Sequence, residues 1–131
     1  MSHENVELVR SLYRAGDPSR FFDLLSEDVE LDFSAYPVPD SPVVRGKDAA
    51  IDWSRRWWGT WDEYVLEAAE IIDAGNDRVV VLQREQARGK GSGAQLERRW
   101  AVIYTIRMGR VARFQPFKTR EEALEAAGLR D

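Results

Sequence analysis

The apolar positions of the chain change their period midway. Val6, Val9, Leu12 and Tyr13 recur at helical spacing, predicting a helix over 3–15 with Ser2 as its N-cap and Gly16 just past its end. Asp17 and Pro18 predict a second start, the acid capping and the proline in the first turn, with Phe21, Phe22, Leu24 and Leu25 on the apolar side. Val29, Leu31 and Phe33 then alternate with Asp28, Glu30 and Asp32, which is strand periodicity with one apolar and one acidic face. Pro37, Pro39, Pro42 and Gly46 mark residues 34–46 as a loop. A third helix is predicted over 48–58, burying Ala50, Trp53 and Trp57.

From there the pattern is that of long strands, over 63–73, 78–88, 95–107 and 110–118. Their connections, Gly75-Asn76-Asp77, Gly89 to Gly93 and Met108-Gly109, are hairpin-like and carry glycine. A last helix over 120–127 ends at Gly128. Helices followed by an antiparallel meander give an α+β domain with a sheet of about five strands rather than a doubly wound one. Length fits one domain over 1–131.

The strands carry a second message. In 95–107, Trp100, Val102, Tyr104 and Ile106 share one face, while Ala101, Ile103 and Thr105 share the other; Val79-Val80-Val81-Leu82 is apolar on both faces. Such a sheet must be covered on both sides. The short helices suffice for one face, so the other is expected to meet a second copy in a homodimer.

Composition narrows the chemistry. There is no cysteine, and the single histidine is His3. Disulfides, thiol nucleophiles, a serine–histidine triad and a transition-metal site are therefore not expected, and no cofactor is. Net charge is −4 with both signs interspersed, which gives nucleic acid no basic footprint. No stretch reaches the roughly 18–20 apolar residues of a membrane span, and the start lacks the basic and apolar regions of a signal peptide. The expected location is cytoplasmic. The excess of arginine (16) over lysine (3) fits a GC-rich bacterial genome.

Several stretches together resemble the SnoaL-like branch of the nuclear transport factor 2-like superfamily. They are Asn5–Tyr13, Leu24–Leu31, Val44–Ala50, Asp77–Val81, Gly109–Phe114 and Arg120–Leu129. The resemblance implies a cone-shaped, curved antiparallel sheet wrapped around N-terminal helices, with a small-molecule pocket inside. It does not imply one activity, because that wall serves isomerases, cyclases, hydrolases, dehydratases and plain binding proteins.

Ketosteroid isomerase-like members use a tyrosine, an aspartate base and a second acid. The register puts Val9, Phe33 and Ala101 at those places, none able to move a proton. A shift of one residue brings in Asp32, although strand parity sets it on the solvated side with Asp28 and Glu30. Epoxide hydrolase-like members use an aspartate–arginine–aspartate set. The counterparts here are Arg84 and Glu85, near Arg98, Arg99 and Gln115, either as a relay or as cross-strand ion pairs on a wet surface. Many SnoaL-like relatives carry a histidine about where Val102 stands. The catalytic candidates are thus Asp32, Arg84 and Glu85.

The resemblance aims Val9, Tyr13, Phe33, Trp53, Trp57, Ala101, Ile103, Phe114 and Pro116 at the pocket, with Ala112 beside them. Of the five tryptophans, Trp58 and Trp61 suit a rim, and the loop 36–43 with Tyr36 suits a lid. The expected ligand is a small hydrophobic molecule, such as a polycyclic one. The alternatives are an acid–base enzyme on such a substrate and a protein-interaction domain.

Overall fold

The structure, a computed structural model, describes residues 2–14, 18–35, 43–89, 91 and 93–129. The expected turn at Gly16-Asp17 and the expected lid with Tyr36 lie outside the described residues. Helix α1 spans Ser2–Arg14 and α2 spans Pro18–Leu24, the proline opening it as its sequence predicts. Strand β1 follows at once over Leu25–Asp32, so Leu25 is a fully buried strand residue and not part of the helix. Strand β2 (Val43–Arg45) pairs with it antiparallel, which corrects the reading of 34–46 as loop throughout. Helix α3 covers Lys47–Trp58.

Strands β3 (Trp61–Gly75), β4 (Arg78–Gly89), β5 (Gln95–Arg107) and β6 (Arg110–Phe117) form the meander, and α4 (Arg120–Ala126) closes it. Two tight hairpins drive the meander. Asn76 and Asp77 take φ of 53° and 62°, and Met108 and Gly109 take 54° and 74°. Consecutive left-handed residues make turns whose twist matches that of the flanking strands. Thr119 caps α4, accepting from the Glu122 N–H at 3.1 Å.

The fold is α+β, with one curved, open sheet of six strands in the order β2-β1-β6-β5-β4-β3. The count exceeds five because of β2. The pairing of β1 with β6 is parallel and joins the two ends of the chain. Breaks of register along β3, and between Thr105 and Ile106 of β5, bend the sheet. Its inner face wraps the main core: Val9 of α1 and Ala50 of α3 pack against Val29, Leu31, Val79, Val81, Val102 and Tyr104.

A second core lies outside. Helix α4 and its C-cap lay Ala123, Leu124 and Ala127 on Val80, Ala101, Ile103 and Phe117. The chain therefore covers part of its own outer face. Ala101 and Ile103, expected at the pocket, belong to this outer core. Parity explains it: Tyr104 pairs with Phe114 and Val102 with Pro116, which sets the residues between them on the opposite side.

Asp32 also lies on the outer side, as parity predicts, but it is buried and not solvated. It accepts from the Ser34 N–H at 2.9 Å and is ion-paired with Arg113. Burial raises its pKa, and the bonds from Ser34 and Arg113 outweigh that and bring it below its ordinary 3.8. A lowered carboxylate pKa stabilises the fold above the unfolded value and ceases to do so as pH falls through the folded one. Asp32→Asn is thus expected to cost about 1 kcal/mol at neutral pH. Thermal melts should show that difference shrinking once the pH drops below about 4. A penalty independent of pH would contradict the ion pair.

Candidate functional site

The site is built on the inner face of β4. From Val81 onward the strand alternates strictly between buried and more exposed residues, yet its buried side turns from Val81 to Gln83 and Glu85 before returning to Ala87. Gln83 is 2% exposed and Glu85 is wholly enclosed. Two polar side chains buried on a core face need partners, and those partners organise the site.

Tyr13 of α1 donates its hydroxyl to Gln83 Oε1 and lies 2.7 Å from the Tyr104 hydroxyl. Gln83 Nε2 has no hydrogen-bond partner among the described residues. One turn of pleat along, Glu85 accepts from the Tyr64 hydroxyl of β3 and, at 2.6 Å, from Arg98 Nε on β5. Glu85 and Arg98 face each other in the β4–β5 register. The Arg98 guanidinium also sits 5.5 Å from the Trp57 ring and 5.6 Å from the Trp100 ring. Trp57 Nε1 donates to the Tyr64 hydroxyl at 3.3 Å.

These surroundings fix protonation. Burial, then the neighbouring Tyr104, push Tyr13 well above the ordinary phenol value, and burial does the same to Tyr104. Burial and the adjacent Glu85 carboxylate raise Tyr64. All three phenols therefore stay neutral across the physiological range and act as donors, not bases. Glu85 is held by a phenol and a guanidinium at once. The arrangement can hold an oxygen atom well, whereas no base in it stands free.

Aromatic rings enclose the stripe. Phe33, just past β1, stacks on Trp53 of α3 at 4.6 Å. Phe114 meets Tyr104 at 5.4 Å, Phe21 at 5.9 Å and Trp100 at 6.3 Å. Towards the start of β3, Trp57 packs on Trp61 at 5.5 Å and Trp58 on Phe22 at 5.5 Å.

Of the residues expected to bind a ligand, Val9, Tyr13, Phe33, Trp53, Trp57, Phe114 and Pro116 lie on or against the inner face. Ala101 and Ile103 do not. Of the catalytic candidates, Glu85 is inside and Arg84 outside, facing Glu67 at 4.0 Å. Glu85 is therefore no wet surface pair. Gln83, Tyr64 and Tyr104 were not singled out by sequence reading. Their signal was strand parity: Gln83 and Glu85 share the parity of Val81, and Tyr64 that of Leu66 and Ala68. Among the described residues, no group of three or more His, Cys, Asp or Glu could hold a metal ion, and no helix is long and apolar enough to cross a membrane.

The profile of the SnoaL-like domain matches residues 6–114. Solved structures share the fold at low identity. A presumed SnoaL-like polyketide cyclase from Jannaschia sp. CCS1 superposes with a TM-score of 0.74 at 19% identity, covering 95% of this chain and 91% of the other. TerC, co-crystallised with polyporic acid, gives 0.70 at 17% identity over 95% and 98%. A protein of ketosteroid isomerase-like fold from Catenulispora acidiphila, in complex with trimethylamine, gives 0.69 at 16% identity over 97% and 94%. No functionally curated protein matches the chain.

Proposed function

The chain belongs to the SnoaL-like domain family, and from that premise we propose that it binds a small, flat, largely apolar molecule on the inner face of its sheet, one oxygen of which accepts from Gln83. A single observation carries the reading: Gln83 is 2% exposed and its amide nitrogen is unpartnered among the described residues. A buried donor left unmade costs about 1–3 kcal/mol, which a ligand oxygen would recover. Phe114, Trp100 and Tyr104 supply flat apolar walls beside it.

The test is a titration of intrinsic tryptophan fluorescence with 1-tetralone, a two-ring ketone, and with tetralin, the same rings without oxygen. The ketone is expected to saturate with a Kd of about 10–100 μM, and tetralin to bind roughly tenfold more weakly. Equal affinities, or no saturable binding of the ketone, would refute the reading.

An acid–base enzyme is the second reading. The paired phenols of Tyr13 and Tyr104, 2.7 Å apart, favour it, because they could stabilise a carbonyl oxygen as it gains charge. Its base would have to be Glu85, released from Arg98. Running the tetralone incubation in D2O separates the two: enhanced exchange of the protons beside the carbonyl supports chemistry, and none supports binding alone.

The homodimer remains part of the proposal. Outside the cover of α4, β3 exposes Val65 at 49%, and Arg84 keeps a buried Nε with no hydrogen-bond partner among the described residues. Sedimentation at micromolar concentration should give about twice the 15.1 kDa chain mass. A monomer there would exclude this assembly.

A further inference from the structure

Strand β3 is the last in the sheet order, and α1 lies against it. Its register with β4 breaks between Ala68 and Glu70, so Ala69 is an extra residue that bends the edge. At that bend a groove of about 340 Å³ opens between α1 and β3, walled by Arg10, Tyr13, Ala68, Ala69 and Ile71. The volume falls at the low end of small-molecule sites, roughly 300–1,000 Å³. The two alanines are what leave the space.

Two facts tie this groove to the interior. Tyr13 is at once a wall of the groove and the hydrogen-bond partner of Gln83 and Tyr104. Ala68, another wall, lies directly opposite Gln83 in the β3–β4 register. Tyr13 thus stands between the groove and the Gln83 side chain to which it donates.

We propose that the groove between α1 and β3 is the port of the binding site, that Tyr13 is its gate, and that it admits uncharged carbonyl compounds in preference to carboxylates. The proposal rests on the reading of Gln83 as the ligand's donor. When Tyr13 swings aside it gives up its bonds to Gln83 and Tyr104. A carbonyl oxygen arriving in its place accepts from Gln83 Nε2 and from the freed Tyr104 hydroxyl, so both donors are satisfied, while Gln83 Oε1 gives up the Tyr13 donor.

Selection against anions follows from the rim. Arg10 is the cation of the lining, and Glu67 and Glu70 are its acids. Arg10 is already paired with Glu7 at 3.2 Å, while Glu67 faces Arg84 at 4.0 Å and Glu70 faces Arg120 at 3.3 Å. A carboxylate passing this rim meets charges that are already paired and loses its hydration without gaining a free cation. A ketone or amide pays neither cost.

The test is a titration of ¹⁵N-labelled protein with acetophenone and, in parallel, with benzoate, which has a ring of the same size. Acetophenone is expected to shift the backbone amides of Ala68, Ala69 and Ile71 together with the side-chain amide of Gln83, saturating in the millimolar range. Benzoate should cause shifts at least about fivefold smaller at equal concentration. Ala69→Phe, which fills the groove, should abolish the acetophenone shifts. Met108→Phe, at the exposed turn between β5 and β6, should leave them intact.

Shifts at Gln83 without shifts at Ala68 to Ile71, shifts that survive Ala69→Phe, benzoate shifts as large as those of acetophenone, or no shifts at all would each overturn the port. The wild-type titration needs no variant to fold. Failure of the underlying reading looks different: tetralone and tetralin then bind equally well, whatever acetophenone does at the groove.

Discussion

Arg98→Leu is expected to destabilise the protein by about 3 kcal/mol, lowering its melting temperature by roughly 10 °C. Arg98 is the cation that faces Glu85, and the Glu85 side chain is wholly enclosed. Removing it leaves a carboxylate in the core with one phenol, Tyr64, as compensation. Removing one partner of a buried pair costs far more than the pair is worth, because the remaining charge has no water to return to. The lost packing over Trp57 and Trp100 adds to the effect. Two comparisons identify the cause. Arg84→Leu, one strand position from Glu85 but on the other face, should change stability by no more than about 0.5 kcal/mol. The double variant Glu85→Leu/Arg98→Leu should melt above Arg98→Leu alone, since the stranded charge goes with it. An Arg98→Leu protein melting within about 2 °C of the parent would mean that Glu85 and Arg98 do not form the buried ion pair described.

Gln83→Leu is expected to weaken 1-tetralone binding at least tenfold, about 1.4 kcal/mol or more, and to leave tetralin unaffected or slightly favoured. The substitution keeps the side-chain volume close and removes the unpartnered nitrogen. It also deprives the Tyr13 hydroxyl of an acceptor, though Tyr104, at 2.7 Å, remains within reach. The fold should therefore lose little, because an orphaned donor disappears along with a satisfied acceptor. Trp57→Ala is expected to lower the affinity of both compounds together, since a wall has no preference for oxygen. The contrast between the two variants matters more than either alone. If Gln83→Leu weakened tetralin as much as tetralone, the residue would be shaping the site and not bonding the ligand.

Most of the fold is legible in the sequence, and what is hidden has physical reasons. Strand β5 spans Gln95–Arg107, its predicted extent, because its alternating ends flank the run Ala101–Tyr104, which is buried on both faces. Strand β2 was hidden because Val43–Arg45 is too short to show a period and stands beside Pro42. Its pairing with β1 and that of β1 with β6 are tertiary events, and no local turn announces them. Leu25 was read into α2 because the helix passes into β1 with no turn residue between them.

The site was legible in part. Trp53 and Trp57, four apart on α3, reach the inner side as helical spacing requires. Strand β5 is apolar on both faces, so its own pattern cannot say which face is inside. The small residues Ala123 of α4 and Ala127, its C-cap, settle that, by letting the helix lie close over Ala101 and Ile103. On β4 the pattern did give the answer, since Gln83 and Glu85 keep the parity of Val81, but a charged stretch among arginines reads as wet surface. The misreading of Asp32 is the same error. A carboxylate at a strand end was assigned to solvent, whereas Arg113 across the sheet lets it be buried.

A crystal structure of the protein soaked with 1-tetralone should show the ring system on the inner face of the sheet beside Phe114, with the carbonyl oxygen about 3 Å from Gln83 Nε2. Tetralone seated elsewhere, against the Trp58 and Phe22 side or on the outer face under α4, with the Gln83 nitrogen still unpartnered, would contradict the proposed binding site.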